Sequence, residues 1–360
     1  MPAREIGSEF DLAPRAQGAP REPFGWVQES ATRRLASGRE ALRLILGGLA
    51  HAGRSRLVLP AYLCDSVGQA TQGAGDWRIE YVPVAPDLTP APGPLASALQ
   101  EEPDRTVFVE VQVFNTPYGE HTLEVLSAAT RAGVLVVEDR THSLLSAEQP
   151  RRPLAFASVR KWLPLPDGGL AVGTRAPSAP SDEEFVALRR GAMTAKHQFL
   201  VHGEGDKSTF LGAIQRGEQA LDAATTARTM SSSSRSLLDA ANLHTIAARR
   251  RANHDLLLGH LGTGAIPRVC RPLEAPLQGA AAPLGLPVLS PTRDALRRHL
   301  IEHRVYCPVH WPLPEPVALG RFPTAQSRNR ELMTLVIDQR YDAEDMARVA
   351  EVLETFARTA

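Results

Sequence analysis

Between residues 106 and 143 the chain reads TVFVEVQVF, then LEVLSAATRAG after eight intervening residues, then VLVVEDRTHS. The first segment is β-branched and aromatic, the second carries apolar residues at helical spacing and closes on glycine, and the third is β-branched and stops at acidic residues. Together they predict strand, helix, strand, the unit from which parallel sheets are built. Upstream, REALRLILGGLAHAG predicts a helix from Gly38, with Ser37 as its N-cap and Gly53 as its stop, followed by buried strands in SRLVLPAY and WRIEYVPV. Downstream, FASVRK and GGLAVGT predict two short strands flanking a proline turn. Residues 30 to 175 therefore read as a doubly wound α/β sheet, a fold class in which ligands sit at the carboxyl ends of the strands.

From 182 to about 260 the pattern is mainly helical, and the serine run MSSSSRS within it predicts a loop and helix cap. Beyond about 262 the composition shifts to proline, glycine and alanine, and weak strands (PLGLPVLS, LMTLVIDQ) alternate with helices. The expected organisation is an N-terminal arm over 1–30, a large α/β domain over 31–260 and a smaller α+β domain over 261–360. A chain of 360 residues is long enough for that division.

Forty lysines and arginines balance forty aspartates and glutamates. No overall charge draws the chain to nucleic acid or an anionic membrane, so a small-molecule partner is expected. Cys64, Cys270 and Cys307 are widely separated and lack CxxC spacing. Neither a disulfide framework nor a metal site is expected, and a soluble protein of the reducing cytoplasm is.

One lysine stands out. Lys161 lies in ASVRKWLPLPDGG, three residues after Ser158 and seven and eight before Gly168 and Gly169, while Asp139 ends the strand VLVVED. Pyridoxal phosphate asks a protein for this set: a lysine for the Schiff base, a carboxylate for the pyridinium nitrogen, and donors for the phosphate. The phosphate belongs at a helix N-terminus, where free N–H groups and the helix dipole favour an anion. The segment ASGREAL offers one, with Ser37, Gly38 and Arg39 at the helix start.

In these residues the sequence resembles the DegT-type sugar aminotransferase family, within the pyridoxal-phosphate enzymes of the aspartate aminotransferase fold (fold type I). The family's SGxxAL helix opening appears as Ser37, Gly38, Ala41 and Leu42. Its acid, aspartate, any, small, Gln-or-His pattern appears as Glu138, Asp139, Arg140, Thr141 and His142. Its lysine with a following glycine pair appears as Lys161, Gly168 and Gly169. Tyr118-Gly119 corresponds to the family's tyrosine-glycine, and Pro60 with Tyr62 to its proline-aromatic segment.

The resemblance implies that Lys161 is the Schiff-base lysine and proton shuttle, Asp139 the pyridinium partner, and His142 a neighbour of the cofactor's hydroxyl side. Ser158, Ser37, Gly38 and Arg39 would bind the phosphate. It further implies amino transfer from an amino-acid donor to a keto or aldehyde acceptor, possible acceptors including a nucleotide-linked keto sugar or a natural-product carbonyl, in a biosynthetic homodimer. Elimination or decarboxylation on the same residues, or a non-catalytic binding protein that kept the fold, are the alternatives.

Other residues admit two readings. Tyr62 stacks on the cofactor ring or packs in the core. His142 contacts the cofactor or is a hydrogen-bonded structural histidine. Tyr118 and Trp311 are candidate substrate contacts, although CPVHWP, which carries Cys307, His310 and Trp311, is bracketed by proline and reads as a rigid loop. Arg340 in IDQRY forks onto a substrate carboxylate or phosphate, or forms a surface ion pair.

Overall fold

The computed structural model describes residues 4–13, 24–146, 149–273 and 282–359; the rest of the expected N-terminal arm lies outside them. A seven-stranded sheet forms the larger layer, in the order Arg33–Leu35, Gly169–Val172, Leu154–Ser158, Leu135–Asp139, Thr106–Val111, Arg56–Pro60, Arg78–Val82. The last five of these are mutually parallel, and Gly169–Val172 is antiparallel to both of its neighbours. Val107, Val109, Val137 and Phe156 are buried on this sheet, as expected for strands covered on both faces.

Because the crossovers return each strand in the same direction, the chain leaves Arg33–Leu35, Arg56–Pro60, Thr106–Val111, Leu135–Asp139 and Leu154–Ser158 at one edge. That edge collects Ser37, Leu63, Gln112, Asp139 and Ser158. The helix Gly38–His51 starts there, with the Ser37 hydroxyl accepting from the Glu40 N–H at 3.2 Å. Gly53, at φ +86°, follows its last turn.

The serine run caps the helix Ser232–Asp239, with the Ser231 side chain accepting from Ser234 N–H. The helices Glu183–His202 and Lys207–Ala223 pair with each other beside the sheet.

The smaller layer is an antiparallel sheet of Leu332–Leu335, Leu286–Leu289 and Arg271–Pro272. Helices Arg293–Glu302 and Ala343–Thr359 cover it, and its core holds Leu296, Val288, Met346 and Leu353. The helix Leu243–Leu261 packs with this layer through Leu257 and Leu261, on the far side of the boundary expected near 260. The chain's beginning joins it too: Ile6–Gly7 pairs in parallel with Val305–Tyr306. Among the described residues, no helix is long and apolar enough to cross a membrane.

Candidate active site

Lys161 stands at the meeting of two cavities. The first, of about 200 Å³, lies at the sheet's carboxyl edge and is lined by Ser37, Gly38, Arg39, Asp139, His142, Ser158, Lys161 and Trp311. The second, of about 610 Å³, opens from the other side of Lys161 toward the smaller layer.

The first cavity follows from local geometry. Asp139 ends its strand almost fully buried, and its Oδ1 accepts from the Thr141 N–H at 2.8 Å. Thr141 in turn takes the Ser158 N–H on its hydroxyl at 3.1 Å and the Trp162 indole N–H on its carbonyl at 2.7 Å. One threonine thus ties the Asp139 turn to the Ser158 strand end and to the residue after Lys161. Burial raises the Asp139 pKa above the usual carboxylate value, while hydrogen bonds from Thr141 and the charge of Lys161 act against that rise.

Gly169 and Gly38 have a physical reason. A Cβ on Gly169 would stand 2.1 Å from the Ser37 carbonyl oxygen, and one on Gly38 would stand 3.0 Å from the Ser158 backbone nitrogen. Only glycines let the helix start, the Ser158 strand end and the strand Gly169–Val172 approach this closely. Gly168 N–H also donates to the Ala36 carbonyl at 2.7 Å.

His142 accepts the Phe114 N–H on Nδ1 at 3.0 Å, so its proton is on Nε2. That Nε2 is buried and has no partner among the described residues, and neither has the side-chain amide nitrogen of Gln112, which lines the same cavity. Burial holds the His142 pKa well below the ordinary histidine value, with Lys161 and His310 adding to the effect, so the ring is neutral.

Trp311 closes the cavity from the smaller layer. The Lys161 ammonium sits 5.2 Å from the centroid of its ring, and the His142 ring lies 5.2 Å from it on another side. The Trp311 loop is tied down by the Tyr62 hydroxyl, which donates to the His310 carbonyl, and by the Asn329 amide, which donates to the Trp311 carbonyl. Tyr62 itself is fully buried behind this loop and lines neither cavity.

Arg39 and Arg160 face the paired helices. Arg39 binds Asp222 at 2.8 Å and the Leu221 carbonyl at 3.1 Å, while Arg160 binds Glu218 at 2.6 Å. Two residues expected to contact the substrate are engaged within the protein. Tyr118 is turned into the core, where its hydroxyl is shared with both the N–H and the carbonyl of Val111 at 3.1 Å, so it does not reach the cavity. Arg340 lines the larger cavity, but its fork is committed to Asp338, with bonds of 2.9 and 2.8 Å.

No family model matches the chain, and no curated protein matches it in sequence. Solved structures do match in three dimensions. Spr1654 from Streptococcus pneumoniae, solved in its PLP form, superposes with a TM-score of 0.65 at 14% identity, covering 99% of each chain. The sugar aminotransferase CalS13 from Micromonospora echinospora gives 0.59 at 15% identity, over 90% of this chain and 87% of that one. DesI, solved in the presence of its TDP-sugar product, gives 0.63 at 18% identity, over 91% and 80%.

The fold is that of the sugar aminotransferases. In this aminotransferase fold the Lys161 cavity lies where the carboxyl ends of the parallel strands meet the smaller layer. Sequence reasoning missed Gln112, which comes to the site from a strand end, and read His310 only as part of a rigid loop. A signal existed for Gln112, the first residue after a buried β-branched run.

Proposed function

We propose that the chain is a pyridoxal-phosphate-dependent aminotransferase. It carries an amino group from an amino-acid donor to a keto or aldehyde acceptor, as a cytoplasmic homodimer in a biosynthetic pathway. The observation that carries this reading is the convergence of Lys161, Asp139, Ser158 and the Gly38 helix start on one cavity.

The residues present fit the cofactor. Gly38 lets the helix start and Ser158 stand side by side at the edge of the cavity, so that the donors of both face it together. The two orphaned donors, His142 Nε2 and the Gln112 amide, are set for acceptors that the described residues do not supply. The Gly38 and Arg39 N–H groups and the Ser158 hydroxyl would hold the phosphate. Asp139 would face the ring nitrogen, and His142 Nε2–H the ring hydroxyl. Pyridoxal phosphate, when bound, supplies an electron sink that makes the proton on the donor's amino-bearing carbon labile.

The rest is done by the chain. Lys161 Nζ takes that proton and returns it, held within reach by the turn after Ser158 and by the face of Trp311. Asp139 would hold a proton on the ring nitrogen, and the positive charge there would favour the charged carboxylate that burial alone opposes. Trp311 and the neutral rings of His142 and His310 exclude water from the reacting carbon. A nucleotide-linked keto sugar and a natural-product carbonyl both suit the acceptor role; DesI, with its TDP-sugar product, supports the first.

The test is the visible spectrum of the purified protein with added pyridoxal phosphate, before and after borohydride. Wild type should form a chromophore that borohydride fixes to Lys161, and Lys161→Ala should not. A wild type that forms none overturns the assignment. Turnover of one amino acid without an added acceptor would point instead to elimination or decarboxylation.

A further inference from the structure

The larger cavity has an unbalanced set of charges. Lys161, Arg160, Arg250, Arg297 and Arg340 line it against Glu9, Glu218 and Asp338. Two of the cations are neutralised within it, Arg160 by Glu218 at 2.6 Å and Arg340 by Asp338 at 2.8 Å. Glu9 turns to Arg189, which does not line the cavity, at 3.4 Å. Arg250 lies flat on Trp162, 4.6 Å from the ring centroid, and is held by neutral groups, the Gln339 side-chain oxygen and the Leu284 carbonyl, each at 2.8 Å.

Arg297 is different. Its Nε donates to the Cys307 carbonyl at 3.0 Å, which fixes the guanidinium plane, and neither terminal nitrogen has a partner among the described residues. The helix Arg293–Glu302 supplies it and the loop from Cys307 anchors it, so the fork needs no reordering to meet a ligand. A planar fork with one nitrogen tied and two free presents the edge that pairs bidentately with a carboxylate or phosphate.

We propose that Arg297 is the anion anchor of the substrate cavity, and that the molecule reacting at Lys161 carries a carboxylate or phosphate on the side facing the smaller layer. This rests on the aminotransferase reading only for Lys161 as the reacting group. It moves the role expected of Arg340 to a residue about forty positions upstream whose fork is free.

The experiment uses the full chain loaded with pyridoxal phosphate, so that the phosphate cradle is filled. Inorganic pyrophosphate and glutarate are the probes, read by calorimetry and by perturbation of the Lys161 chromophore. Wild type should bind at least one; pyrophosphate alone would identify a phosphate-bearing substrate, and glutarate alone a carboxylate. Arg297→Gln should weaken that binding about tenfold or more, as loss of a charge-assisted pair predicts. Arg297→Lys should recover part of it, both variants keeping the wild-type melting temperature. Binding of both probes by Arg297→Gln within about twofold of wild type, or of neither by wild type, overturns the proposal. If no chromophore forms, the aminotransferase reading fails separately, and the calorimetric comparison still decides the role of Arg297.

Discussion

His142 shows how much a residue's surroundings decide. Its place three residues after Asp139 left a cofactor contact and a structural histidine both open; in the fold one nitrogen serves the structure and the other is left over. Burial keeps it neutral, and His310 likewise has its pKa lowered, to about 3. The unfolded chain takes up these protons as pH falls below about 6.5 and the folded chain does not, so the stability they confer is present above that pH and lost as pH falls toward the folded values. Replacing His142 with glutamine should therefore reduce the loss of stability between pH 7.5 and 5. Urea midpoints at the two pH values check this, and equal slopes for wild type and variant would sink it. Lys161, Asp139 and Ser158 were legible because their order along the chain matches the order of strand ends at one edge. Arg297 was not, and His310 was read only as part of a rigid loop, since nothing local says that a small-layer helix and loop will face a lysine in the other layer. The placement of Tyr118 was not legible because a tyrosine beside glycine looks the same whether its hydroxyl points to a ligand or, as here, back to Val111.

At the scale of elements, period and punctuation carried most of the sheet. The helix from Gly38, its Ser37 cap, the strands near Arg56, Thr106, Leu135 and Leu154, and the C-terminal helix all stand where the pattern put them. Two kinds of element escaped. Ile6–Gly7 is too short to show a period, and its pairing depends on Val305–Tyr306 far away. The turn at Phe114 and Asn115, with φ of 54° and 62°, is left-handed without a glycine and so carries no turn signal. The glycine pair was legible as a spacing but not as a cause, and the cause gives a prediction. Gly169→Ala would push a Cβ into the Ser37 backbone, and should cost about 3 kcal/mol and loosen the helix start. Ser37→Ala, which removes only the cap bond, should cost about 1 kcal/mol. Chemical denaturation of the two variants checks the ranking; an alanine at 169 milder than one at 37 would contradict the close-approach account.

For the whole molecule, the clamp at Arg340 joins what the chain separates. Its guanidinium binds Asp338 and donates to the carbonyls of Ser8 and Glu9 at 3.1 Å, with Phe10 and Tyr341 against its faces at 4.4 and 5.2 Å. Arg340→Ala leaves the buried Asp338 without its charge partner and should cost about 3 kcal/mol. It should also speed hydrogen exchange at Ser8 to Phe10 more than in the seven-stranded sheet, and uniform exchange across the molecule would contradict that local role. The parallel pairing of Ile6–Gly7 with Val305–Tyr306 has a consequence in time. During synthesis Ile6 leaves the ribosome long before the strand it needs, whereas the segments that bring Ser37, Asp139, Ser158 and Lys161 together are all complete by the middle of the chain. The nascent protein can thus shape the first cavity while the wall that Ser8 to Phe10 give the second is still loose, so the second cavity is completed last.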